Sequence, residues 1–168
     1  MSLGLEREII NKKIYDQNVE TLRGVGITLP RIGDLVDPVQ KLGDKTAKLA
    51  SVDPDAPDSN NLFRIHWFND AERRGVVDVP EHIVLGSELT GVEAKIIVVL
   101  GNRFPMIRAH KLLAAYGCLV PKLLSGIFNA AKQRAIWPST GNYCRGGVAL
   151  SRILGCRGVA VLPEGMSA

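Results

Sequence analysis

Apolar residues at Leu5, Ile9, Ile10, Ile14, Val19 and Leu22, with charged residues between them, predict an amphipathic helix over 5–23 that ends at Gly24 or Gly26. The pattern then breaks. Pro30 and Pro38 bracket a turn-rich stretch, and the Pro- and Asx-rich run 53–61 marks a candidate boundary. Phe63-Arg64-Ile65-His66-Trp67-Phe68 alternates poorly and fits a short strand or a helix entry. Residues 95–100 are β-branched and followed by Gly101, the signature of a short buried strand. A helix over 106–119, a strand at Ala135-Ile136-Trp137, a helix over 144–154 and a strand over 159–162 complete the series. That alternation implies right-handed crossovers and one parallel sheet with flanking helices. The expected organisation is a helical and loop extension over 1–62 followed by a partial α/β domain over 63–168.

Composition narrows the function classes. With 168 residues, 46% hydrophobic and 23% charged, the chain has material for one core of moderate size. Its net charge of +4 is carried by basic residues interleaved with Asp and Glu, the pattern of a solvated surface. Aromatic residues make up 5%, too few for a platform on which single-stranded nucleic acid could stack, so no nucleic-acid partner is expected. No apolar run reaches the length of a membrane span, and no membrane partner is expected either. Cys118, Cys144 and Cys156 lack a C-x-x-C spacing and cannot all pair within the chain, which favours a reducing compartment. The N-terminus lacks the apolar stretch of a signal peptide, and the cytoplasm is the expected location. His66 and His82 have no metal-ligand spacing, so no metal site is expected. Gly24-Val25-Gly26 does not open a dinucleotide fingerprint.

The sharpest chemical signal is Ser139-Thr140-Gly141-Asn142, set between a predicted strand and a predicted helix. Such a junction aims backbone N–H groups at one point, where the helix dipole favours a carboxylate or phosphate. Its bland reading is a helix cap at Ser139 or Thr140, with Gly141 easing the turn.

From Ser139 the chain continues STGNYCRGGVALSRILGCRGVAVLPEGMS, which resembles the cysteine synthase and cystathionine β-synthase family of fold-type II pyridoxal-phosphate enzymes. The shared layout is S/T-S/T-G-N, a variable pair, a glycine, an alanine-rich helix, a glycine turn, a strand and Pro-Glu-x-Met-Ser, here Pro163-Glu164-Gly165-Met166-Ser167. The family's cofactor lysine lies upstream at a helix start, and Lys111 occupies the corresponding place. Ala109 stands where the family has serine, Leu112-Leu113 where it has Asp-Arg, and its early Gly-x-Thr-Pro-Leu signature is missing.

The resemblance implies a tryptophan synthase β-like sheet, a homodimer, an amino-acid substrate, and β-elimination or β-replacement through a lysine aldimine. It assigns Lys111 as the catalytic residue and cofactor anchor, and Asn142 as the partner of the cofactor's phenolic oxygen. Ser139, Thr140, Gly141, Asn142 and Tyr143 become the holders of the substrate carboxylate. Threonine synthase or dehydratase-like chemistry shares the same layout, and a non-catalytic α/β ligand-binding domain is the non-enzymatic alternative. The family's phosphate cup and pyridine-nitrogen partner lie further downstream and have no counterpart before Ala168. The chain therefore reads as the front part of an enzyme whose cofactor site it holds incompletely.

Overall fold

A computed structural model describes residues 8–165. Helix α1 (Lys12–Gly24) starts where the Asn11 side chain accepts from the N–H of Ile14 at 3.1 Å, an N-cap contact that satisfies one otherwise unpaired donor. The predicted first helix thus begins later than its apolar spacing indicates, and the part of that expectation over 5–7 lies outside the described residues. Three short helices follow, α2 (Ile32–Val36), α3 (Pro38–Lys41) and α4 (Lys45–Ala50), and then a 3-10 turn (Ser59–Arg64). Next come β1 (His82–Leu85), α5 (Ser87–Thr90), β2 (Ile96–Val99) and a 3-10 turn (Gly101–Arg103). The chain continues through α6 (Lys111–Ser125), β3 (Arg134–Pro138), α7 (Asn142–Ile153) and β4 (Arg157–Val161).

The protein is a mixed α/β structure with two two-stranded sheets. β3 and β4 run parallel, with Arg134 opposite Arg157 and Trp137 opposite Ala160, as the strand-helix-strand reading predicts. β2 corrects it. Instead of joining that sheet it pairs antiparallel with β1, Ile83 opposite Val98. The intervening segment is short, so closing this local ribbon costs less chain entropy than a crossover to β3. The base of the ribbon is tied by Leu100 N–H to the Glu81 carbonyl at 2.9 Å and by Arg103 Nε to Glu81 at 2.6 Å. The sequence signal for this ribbon is His82-Ile83-Val84-Leu85, a second short apolar run ahead of a glycine. All four residues of β2 are exposed, against the expectation of a buried strand.

The helix expected from 106 starts instead at Lys111. Met106 and Arg108 take φ of 60° and 51°, left-handed values that no α-helix contains.

One apolar cluster runs from Leu22 and Leu35 through Leu62 and Ile65 to Leu112, Leu119, Trp137, Leu150 and Leu154, drawing on residues on both sides of position 62. Polar contacts reinforce the same joints. Buried Asn18 on α1 donates to the carbonyls of Leu123 at 2.9 Å and Phe128 at 2.7 Å, and its oxygen accepts from Ala130 N–H at 3.1 Å. Tyr116 donates its hydroxyl to the Pro30 carbonyl at 2.6 Å. The 53–61 run is itself well tied, because Asn61 donates to the carbonyls of Asp53 and Ala56 at 2.9 and 2.8 Å.

Asn61, Arg64, His66 and Asn69 form a polar layer inside this packing. Arg64, 1% exposed, spends its guanidinium on the Asn61 oxygen and on the carbonyls of Leu49 and Val52. His66 is equally buried; its Nδ1 accepts from Phe68 N–H at 3.1 Å, which makes Nε2 the protonated nitrogen of a neutral ring. Burial pushes its pKa down from 6.5 to about 4, opposed by a backbone hydrogen bond with Phe63 and assisted by the Arg64 charge.

Because this folded pKa lies below the unfolded value, the unfolded chain takes up the proton first on acidification. The contribution of neutral His66 is fully present above about pH 6.5 and is lost as pH falls from there toward 4, a change approaching roughly 3 kcal/mol. Urea unfolding at pH 7.5 and pH 4.5 should show this loss, and His66→Gln should remove most of it. The same pH dependence in both proteins would contradict the assignment.

Candidate functional site

β3 ends at Pro138, and the chain turns through Ser139 and Thr140 into the N-terminus of α7, whose first residue is Asn142. Ser139 Oγ accepts from Gly141 N–H at 3.3 Å and folds the turn back on itself. No side chain caps this helix, so N–H groups of its first turn remain available to a ligand. Gly141 is extended, with φ −126° and ψ −155°, and nothing lies within 4 Å of the place a Cβ would occupy. The turn therefore does not require glycine for conformational freedom, contrary to the sequence reading.

Thr140 and Gly141 line a cavity of about 440 Å³ together with Met106, Ile107, Arg145 and Arg152, and among the described residues no acidic one contributes to its wall. The two arginines lie two turns apart on one face of α7. Arg145 also donates to the Asn142 amide oxygen at 2.9 Å, which orients that side chain. The cavity thus combines a helix N-terminus, two guanidinium groups and an apolar wall, an arrangement suited to a small anion with an apolar body.

Lys111 is the first residue of α6 and is exposed. Its backbone is fixed against α7: a Cβ on Gly146 would stand 2.8 Å from the Lys111 carbonyl oxygen and 3.0 Å from Leu112 N. The lysine's helical turn and the Ser139–Asn142 turn are thereby brought to neighbouring positions, one helical turn apart along α7. The Lys111 side chain is not part of the cavity wall. Met106 and Ile107, a few residues ahead of it, are.

Tyr143 goes elsewhere. It meets Trp137 edge-on with ring centroids 5.5 Å apart and lines a groove beside β3 and α6 instead of the Thr140–Gly141 cavity. Burial, with the Cys118 thiol beside it, pushes its pKa up to about 12, so its hydroxyl stays protonated at neutral pH. His110 stacks on Trp67 at 5.4 Å. Cys144 is buried and packs as a small apolar residue.

Gly146, Gly147, Arg152 and the 106–107 segment were not anticipated as part of the site. The glycine doublet was a usable signal, since two glycines inside a helix cost about 2 kcal/mol against alanine and call for a packing reason. Gly147 supplies one, as a Cβ there would overlap the Trp137 indole. The 106–107 segment carried no signal, because its place depends on left-handed backbone and on Met106 N–H donating to the Pro54 carbonyl at 2.9 Å.

Compared with known proteins, the chain matches no family model, no curated protein and no solved structure.

Gly146→Ala should destabilise the protein by about 1–3 kcal/mol, despite the better helix propensity of alanine, because the methyl meets Lys111 backbone that has no flexible end to move aside. Gly141→Ala should change stability by less than about 0.5 kcal/mol. Denaturant unfolding of both variants measures this, and a stabilised Gly146→Ala protein would refute the close approach of α7 to α6.

Proposed function

We propose that this chain carries the lysine and the carboxylate-holding turn of a pyridoxal-phosphate-dependent lyase or synthase resembling cysteine synthase. In this reading β3, α7 and β4 are part of a tryptophan synthase β-like parallel sheet, and the working enzyme is a cytoplasmic homodimer. The observation that carries the reading is the packing of the Lys111 turn on Gly146, one turn along α7 from Asn142. Chemistry at an amino acid's Cα needs an amine and a carboxylate holder within one substrate's length, and this packing supports that arrangement.

The residues present fit an anionic ligand. The wall beside Thr140 and Gly141 holds Arg145 and Arg152 with no opposing carboxylate, and the α7 N-terminus adds its dipole. Lys111 would hold the cofactor's aldehyde, and Asn142 would lie beside its phenolic oxygen. When bound, the cofactor supplies an electron sink for charge developing at the amino acid's Cα. Ser139, Thr140 and the N–H groups of Asn142 and Tyr143, joined by that of Gly141 once it leaves Ser139 Oγ, would hold the α-carboxylate and so fix which Cα bond is aligned for cleavage. The freed Lys111 amine would take the Cα proton at Nζ. The Tyr143 side chain faces the other groove, so its part in the site is through its N–H alone.

A non-catalytic anion-binding unit is the second reading, favoured by the absence of the Lys111 side chain from the cavity wall. The two are separated by labelling. Incubation with pyridoxal phosphate, borohydride reduction and peptide mapping should place the pyridoxyl group on Lys111, and Lys111→Ala should abolish that labelled peptide. A label spread over the exposed lysines, or concentrated on another one, would overturn the enzymatic reading. Retained binding of inorganic phosphate, lost in Arg145→Ala, would then support the second.

A further inference from the structure

β3 is hydrogen-bonded along one side only. Its partner there is β4, and among the described residues no strand borders its other edge. A parallel pair with an open edge is unusual, since the backbone groups alternating along that edge are left for water or for another chain.

The open edge is shaped. Beside it lies a groove of about 450 Å³ walled by Leu119 and Phe128 and by Trp137 and Tyr143, with Lys122 and Arg134 in its lining and no acidic residue. Among the described residues the Arg134 side chain has no ion-pair or hydrogen-bond partner, and neither has that of Arg157, which stands opposite it in the parallel register. Like charges facing each other across a ladder repel, so this end of the sheet is stabilised by any carboxylate placed against it. Tyr143, protonated at neutral pH and beside the Cys118 thiol, lines the same groove.

We propose that the free edge of β3 is a strand-addition site for an extended peptide segment of a partner protein. The segment carries an acidic side chain facing Arg134 and an apolar side chain that enters the groove between Trp137 and Leu119. An extended occupant follows from the edge itself, because only another strand meets a row of backbone donors and acceptors at ladder spacing. The acidic residue follows from the unpaired arginines, and the apolar one from the aromatic wall. The exposed β1–β2 ribbon is apolar as well, but the charges beside it, Glu88, Glu93 and Lys95, are of mixed sign and choose no occupant. This site does not involve the chemistry proposed for Lys111, and it is compatible with that reading where the proposed sheet extends from the free edge of β4 and leaves that of β3 open.

The test uses the full 168-residue chain and a fluorescein-labelled, end-blocked peptide, Ser-Val-Glu-Ile-Thr-Val. Its companions are the peptide with glutamate replaced by lysine and the peptide N-methylated at alternate amides. By fluorescence anisotropy the parent peptide should bind at least about tenfold more tightly than either companion, tenfold being the size of one lost charge-assisted contact. Arg134→Glu, an exposed substitution, should reverse the order of the glutamate and lysine peptides. An N-methylated peptide that binds as well as the parent would overturn the proposal with no variant needed, and so would an unchanged order in Arg134→Glu. Binding of 2-naphthoate with the same dependence on Arg134, with no peptide bound, would also overturn it by making the groove a small-anion pocket.

Discussion

The organisation of this protein depends on how closely one helix can approach its neighbours. Gly146 and Gly147 remove two side chains from adjacent positions of α7, and each gap is filled at once, one by the backbone of α6 at Lys111 and Leu112, the other by the Trp137 indole. Trp137 then donates to Ser151 at 3.1 Å, Ser151 donates to the Gly147 carbonyl at 2.7 Å, and Gly158 on β4 lies flat against Ser151, where a Cβ would come within 2.7 Å. Two strands and two helices are locked by side chains that are missing as much as by those present. The helix loses propensity at the doublet and regains it through contacts that alanine could not make.

How much of this was legible in the sequence followed from how local each signal was. Period-two and period-3.6 patterns located β3, α7 and β4 within a few residues, because both partners of that unit lie close in the chain and share one core face. The start of α6 was missed by five residues, since an apolar spacing that continues through 106–110 says nothing about the left-handed backbone at Met106 and Arg108. β2 was found as a strand and given the wrong partner. Its residues read as buried because they are β-branched, and composition cannot tell a covered strand from an exposed ribbon. Of the candidate cavity, the Ser139–Asn142 turn was visible as a motif, whereas Arg152 and Met106 reach it only through tertiary packing, and the Lys111 side chain lies outside its wall. Tyr143 was assigned to the turn by adjacency, but successive helix positions point about 100° apart, and its ring lies across α7 from Thr140.

β3 is consequently a strand that borders two separate cavities. Its carboxyl end delivers the chain to an electropositive helix start, where ligands of open α/β sheets commonly bind. Its lateral edge borders an aromatic groove whose charges come from Arg134 and Lys122. The two cavities share no lining residue, so occupation of one leaves the wall of the other intact.

Asp55 joins two features that look unrelated in the sequence. It receives both ends of the Arg73 guanidinium, at 2.5 and 2.7 Å, and Arg108 at 3.3 Å. Arg73, followed by Arg108, holds its carboxyl below the ordinary value, so the charge is present at neutral pH. Both arginines sit in left-handed backbone, φ 59° and 51°, a conformation that costs each of them about 1 kcal/mol. A single carboxylate thus touches two bends, each uphill as bare backbone, holding the buried Arg73 firmly and the exposed Arg108 more loosely. The approach to Lys111 is one of those bends, so an aspartate more than fifty positions earlier in the chain stands beside the segment that leads into α6.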